Sequence, residues 1–280
     1  PGAGLCRCAQ IQAEEGIMFS FFGQTVSFRP GALQKPPVFC CLQCGRHTGK
    51  EKDPKRGKVM MSDEIKTCGF SCANCAVGNC ANHLKAYPRE CLTTTGDTEL
   101  VEKTLHHYRH SRTDRKIALT AASIEGEFYG RATRVEETLL FIKRMGYKKV
   151  GVATCIGLLN ECNAFAKVAR AKGIEVYGVA CKVGSHDKTE IGIPEEGKLQ
   201  PGKFEAFCNP VLQAEILNKA GTELNIIMGL CVGHDTLFIK HSKAPVTYLI
   251  VKDRVLCHNP AGALYTTGSY YKRLLTADLP

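Results

Sequence analysis

Residues 147–181 read YKKVGVATCIGLLNECNAFAKVARAKGIEVYGVAC, and this stretch decides the fold. Two short apolar runs, 147–155 and 174–181, flank a segment 158–171 whose apolar residues recur at helical spacing. Gly173 stands where that helix has to stop. The two runs are continuously apolar, which predicts strands buried on both faces. Strand, helix and strand of these lengths form a right-handed crossover unit of a parallel sheet. The alternation continues downstream. A helix is predicted over 210–220 with Gly221 behind it, a strand over 224–231 (LNIIMGLC), a short helix over 235–241 and a strand over 245–251 (PVTYLIV). The expected fold class is α/β: a mostly parallel, Rossmann-like sheet with helices on both faces.

Upstream the pattern differs. Helices are predicted from Asp97 or Thr98 as cap, over 114–128, and over 135–145 with Gly146 as the stop. From Cys68 to Cys91 the chain is dense in cysteine and too poor in apolar residues to build a core. Residues 1–62 mix Gly, Pro and Lys without a sustained period. The expected organisation is therefore a non-native or disordered extension (1–62), a cysteine-rich metal-binding module (63–96), a helical segment (97–146) and an α/β domain with a strand-end thiol site (147–280). Lys55-Arg56-Gly57 is encodable as a purine-rich run spaced like a bacterial ribosome-binding site ahead of Met60-Met61. This predicts a native start at Met60 or Met61, with residues 1–59 as upstream read-through.

The chain has 280 residues and 44% hydrophobic content, enough for a sizeable core. No run approaches the length of a membrane span, and no secretory signal is visible at the N-terminus. The net charge is +10, half of it carried by residues 1–62. The densest basic run, Lys50 to Lys58, lies in that extension and lacks interleaved aromatics, so neither nucleic acid nor membrane is expected as a partner. Sixteen cysteines are many for such a chain. In a cytoplasmic protein, the expected location, grouped thiols point to metal rather than to disulfides.

Two thiol constellations stand out. The first is Cys68-x3-Cys72-x2-Cys75-x4-Cys80-x10-Cys91. A C-x2-C pair brings two thiolates from one turn to one ion, and Cys72, Cys75, Cys80 and Cys91 make a full set of four. The same set suits zinc or an iron–sulfur cluster of the 4Fe–4S type. Cys41-x2-Cys44 with His47 is a weaker knuckle. The second constellation comes from the fold. Cys155, Cys181 and Cys231 each end a predicted parallel strand, so all three fall on the carboxyl edge of the sheet, where open α/β folds bind ligands. Cys208, just ahead of a helix, reaches the same edge. His234, Asp235 and His258 are candidates for proton transfer there, and Cys231 is a candidate nucleophile ahead of a helix N-terminus. Cys162 and Cys257, the latter on an expected strand end, are read as packing residues. His106 and His110, one helical turn apart, are read as a solvated face. No nucleotide-binding glycine motif and no serine nucleophile elbow is present.

The segments Cys155-Ile156-Gly157-Leu158, Cys208-Asn209-Pro210, Gly229-Leu230-Cys231-Val232-Gly233-His234-Asp235, Ala244-Pro245-Val246-Thr247 and His258-Asn259-Pro260 resemble a metal-binding family of archaea and anaerobic bacteria, domain of unknown function 1847. The leader thiols, with Pro88 ahead of Cys91, resemble its leader as well. The resemblance covers roughly residues 68–271. It implies metal binding in an anaerobe-type setting and names no substrate. Three functional expectations stay open. One is an iron–sulfur protein doing low-potential redox or sulfur chemistry on a small molecule, or relaying electrons to a protein partner. The second is a zinc-stabilised binding or metal-handling protein without catalysis. The third is a thiol-redox enzyme with a zinc leader, in which Cys231 attacks and another strand-end thiol resolves.

Overall fold

The structure is a computed structural model and describes residues 71–276. Two single 3-10 turns, Cys72–Asn74 and Asn79–Ala81, open it. Four helices follow: α1 (Leu92–Thr95), α2 (Thr98–His110), α3 (Arg112–Phe128) and α4 (Arg134–Met145). Then come β1 (Lys149–Thr154), α5 (Leu159–Arg170), β2 (Glu175–Ala180), α6 (Pro210–Ala220), β3 (Leu224–Met228), α7 (His234–His241) and β4 (Val246–Ile250). Two short helices, α8 (Ala261–Tyr265) and α9 (Arg273–Thr276), close the described chain. No helix among the described residues is long and apolar enough to cross a membrane.

Local chemistry sets these boundaries. Asp97 caps α2 by accepting from the N–H groups of Glu99 and Leu100. Thr133 and Glu136 form a reciprocal capping box on α4, and Gly146 at φ 77° ends that helix. Asn209 caps α6, with Pro210 at its first turn. The predicted helices thus start and stop close to their sequence signals.

The four strands are all parallel, in the order β2-β1-β3-β4. The chain leaves β1 on one side to make β2 and returns on the other to make β3, so the strand order reverses between β1 and β3. A crevice at the carboxyl ends of the strands opens at such a reversal. The strands alternate their side chains between two cores. Val150, Val152, Val176, Ile226 and Met228 pack with Leu139 and Ile142 of α4 and Phe165 and Ala169 of α5. Ala153, Val179 and Ile227 pack on the opposite face with Ala214 and Leu217 of α6 and Phe238 of α7. This is the double covering that the continuous apolar runs require.

Two glycines are demanded by close approach. A Cβ on Gly151 would collide with Asn225 Oδ1 and lie 2.8 Å from Leu217. Gly229 has φ +70°, and a Cβ there would run into Leu158. Gly229 also shortens β3 relative to the sequence reading: the chain turns out after Met228, so Cys231 stands beyond the strand and not at its last position. A second difference concerns Cys257. It was expected on a strand end. It lies exposed in a loop, where it and His258 both take left-handed backbone, φ 51° and 64°.

Candidate functional site

The sheet brings the four strand-end thiols to one edge. Cys155 follows β1 directly, and its N–H still bonds the Met228 carbonyl at 3.1 Å. Cys181 follows β2, and its N–H bonds the Thr154 carbonyl at 2.8 Å. The Asn209 N–H donates to the Cys181 carbonyl at 2.7 Å, which pins the Cys208 loop against β2. The carbonyl of Cys231 accepts from His234 and Asp235, tying that thiol to the start of α7. Gln213, fully buried on α6, adds a clamp from above: its Nε2 donates to the Thr154 and Val179 carbonyls at 3.2 and 2.6 Å.

Each of these sulfurs faces a nitrogen donor. The ammonium of Lys252 lies 3.3 Å from Cys155 Sγ. The guanidinium of Arg254 donates to Cys231 Sγ at 3.0 Å. The backbone N–H of Ile156 donates to Cys181 Sγ at 3.3 Å. The Lys182 ammonium faces Cys208 and also donates to the Ala206 carbonyl. Arg254 is held more firmly charged by Cys231 first, and by Cys155 and Cys208 beyond it. One guanidinium therefore senses three of the four sulfurs.

Cys181 and Cys208 are in direct contact, with their sulfurs 3.7 Å apart. The pair is asymmetric. Hydrogen bonding to Cys208 and burial push the Cys181 thiol far up, and only 2% of the residue is exposed. Hydrogen bonding from Cys181 pulls Cys208 down, with Lys182 and His234 adding positive potential. Of the two, half-buried Cys208, beside Lys182 and His234, is the sulfur whose surroundings favour the thiolate.

The three polar candidates take different places. Asp235 Oδ1 accepts from Gly233 and Thr236 N–H groups, and its Oδ2 accepts from Tyr248 O–H at 3.0 Å. Burial and this carboxylate push Tyr248 up to about 12. His258 Nδ1 accepts from the Asp253 N–H at 3.1 Å, and the His258 N–H returns to the Asp253 carbonyl at 2.9 Å. His258 therefore braces the loop that carries Arg254. His234 Nδ1 is buried and has no hydrogen-bond partner. Lys182, Lys252 and Arg254 escaped the sequence reading. The available signal was position: Lys182 follows a strand-end cysteine, and Lys252 and Arg254 follow the end of β4.

Cys72, Cys75 and Cys80 sit in or beside two tight turns, and Cys91 is the N-cap of α1. Cys75 accepts hydrogen bonds from the backbone N–H groups of Gly78 and Val77, which lower its thiol. Gly78 is left-handed at φ 61°. Cys72 and Cys80 are exposed, and Cys75 and Cys91 half-buried. Among the described residues, no group of three or more His, Cys, Asp or Glu is arranged around a single metal position. Cys162 is buried against Gly178 in the sheet face. His106 and His110 stack exposed on α2, with ring centroids 3.9 Å apart. The Cys41, Cys44 and His47 knuckle and the Met60-Met61 start lie outside the described residues.

The family model described as "Protein of unknown function (DUF1847)" matches residues 91–249, a span that holds all four strand-end cysteines. The chain belongs to this family. This DUF1847 chain is also similar to an uncharacterized protein of Methanocaldococcus jannaschii, 51% identical over 177 residues, which cover 63% of this chain and 89% of that one. In the DUF1847 chain the donors Lys252 and Arg254 lie just past the matched span.

Proposed function

We propose that this protein is a thiol-dependent redox protein that reduces a sulfur–sulfur bond in a small molecule. The observation that carries this reading is the contact of two cysteine sulfurs, buried Cys181 and half-buried Cys208, at 3.7 Å. The sequence reading placed Cys231 as the attacking thiol. The electrostatics favour Cys208 in that role and Cys181 as the resolving partner. In the first step the Cys208 thiolate attacks a disulfide R–S–S–R, forming a Cys208–S–S–R bond and releasing R–S⁻. In the second, Cys181 loses its proton to a leaving thiolate or to water and attacks Cys208. The Cys181–Cys208 bond forms, and the second R–S⁻ departs. The protein pair loses two electrons and the substrate gains them. An external dithiol returns the pair to its reduced form. His234, whose buried Nδ1 has no partner and whose charge acts on Cys208, is the candidate for proton exchange there.

A second reading is metal binding, and three observations favour it. The two backbone N–H donors on Cys75 prepare a thiolate in the leader, where Cys72, Cys75, Cys80 and Cys91 would hold zinc or an iron–sulfur cluster. At the strand ends, nitrogen donors on all four sulfurs suit four thiolates around a 4Fe–4S cluster. The 3.7 Å separation also matches the edge of a tetrahedral zinc–thiolate site, about 3.8 Å for Zn–S bonds of about 2.3 Å.

One preparation tests both. The full chain, purified without oxygen, is assayed for iron, zinc and acid-labile sulfide, then treated with a small disulfide and mapped by peptide mass spectrometry. A Cys181–Cys208 cross-linked peptide supports the dithiol. Its absence, with iron and sulfide that are lost in Cys155→Ser or Cys231→Ser, replaces the dithiol with a strand-end cluster.

A further inference from the structure

We infer that the substrate of this site is a small disulfide carrying negative charge, received by Lys182, Lys252 and Arg254. The inference rests on the dithiol reading and adds the chemical class of its substrate.

The charge count at the carboxyl edge is uneven. Three cations face the thiols, and none of them pairs with a carboxylate: the ion pairs among the described residues involve other side chains. The nearby acids are engaged elsewhere. Asp235 accepts from its own helix start and from Tyr248. Asp253 Oδ1 accepts from the N–H groups of Val255 and Leu256. The positive ends of α6 and α7 open on the same edge. Uncompensated positive charge around the thiol edge raises the local concentration of anions and speeds their capture.

The approach is shaped as well. At Gly157 a Cβ would stand 3.9 Å from both Cys155 Sγ and Lys252 Nζ, so glycine keeps the face of this sulfur–ammonium pair uncovered. Val232, 93% exposed, and Val255, 76% exposed, sit beside Cys231 and Arg254 as an apolar rim. A slender disulfide with terminal carboxylates matches this combination: a sulfur–sulfur bond for Cys208, short methylene arms for the rim and anionic ends for the cations.

The test uses the reduced full chain and three symmetrical disulfides: dithiodipropionate (dianion), hydroxyethyl disulfide (neutral) and cystamine (dication). Formation of the Cys181–Cys208 cross-linked peptide is followed in a single turnover. Each rate is divided by that of the same disulfide with free mercaptoethanol. At low salt the normalised rate for dithiodipropionate is expected to exceed that for cystamine by roughly tenfold or more, with the neutral compound between them. The ratio is expected to shrink several-fold in about 0.5 M salt, where charges are screened within a few ångströms. It is expected to shrink likewise in Lys252→Gln and Arg254→Gln. Equal or reversed normalised rates, with the cross-link still forming, overturn the anionic class and leave the dithiol standing. No cross-link from any of the three overturns the dithiol and this inference with it.

Discussion

The protein holds two sets of four cysteines, and the structure treats them in opposite ways. The strand-end set is built on a rigid sheet: Cys155 and Cys181 are buried, Cys208 and Cys231 half-buried, and each sulfur has a nitrogen donor. The leader set sits around two short turns and the start of α1, with no buried apolar residue in those elements, and backbone donors lower the Cys75 thiol. The difference separates two uses of one residue type. Burial beside cations makes a thiol chemically distinct from its neighbours. A run of exposed thiols in turns gains its order from whatever it ligates.

The largest effect that would break this contrast is at Cys208. Cys208→Ser should lower the rate of disulfide reduction by about a thousandfold or more, because the attacking thiolate is gone. Cys181→Ser should instead trap a mixed disulfide on Cys208, visible as a mass increase of one R–S group. Equal, mild losses in both variants would place the chemistry elsewhere. Next in size is Gly229→Ala. Left-handed backbone and the collision with Leu158 should cost roughly 3 kcal/mol in urea unfolding. The same change should also alter Cys231 alkylation, since Gly229 aims that segment. Stability unchanged within error would show that the turn after β3 is soft.

A third measurement sharpens the contrast through pH. Cys208 is a thiolate below the usual thiol range, so its alkylation by iodoacetamide should rise with pH early and level off by neutrality. The rate at buried Cys162, whose thiol is raised by desolvation, should still be climbing above pH 9. The groups facing Cys208 are Cys181, Lys182 and His234. Identical profiles at both thiols would remove the asymmetry. The smallest effect is expected from chelation. Stripping metal from the leader should expose Cys72, Cys75, Cys80 and Cys91 to alkylation while shifting the Cys208 rate less than about twofold. A large change at Cys208 would mean that the strand-end thiols hold the metal.

The fold was legible because the sheet is buried on both faces. Runs such as 224–228 carry no polar interruption except Asn225, and that residue is satisfied internally by Thr222 and Ser242. The helix ends were legible through Asp97, Gly146 and Gly221, whose capping is local chemistry. The convergence of Cys155, Cys181 and Cys231 followed from parallel strands alone. What stayed hidden was the positive half of the site. Lys252 and Arg254 lie in a segment without period, whose path depends on the Asp253–His258 bonds and two left-handed residues. Sequence pattern does not encode such a path. The choice between Cys231 and Cys208 as nucleophile was equally out of reach, since it depends on which sulfur Cys181 touches.

The position of β4 has a consequence for how the site comes into being. It is the edge strand next to β3, half-buried along its whole length, and the donors to Cys155 and Cys231 hang from its end. A chain emerging from the ribosome makes all four thiols before it makes residues 252–254. Until this last strand docks, two of the four sulfurs lack their cationic neighbours. Completion of the sheet and arming of its edge are therefore one event in the life of each molecule.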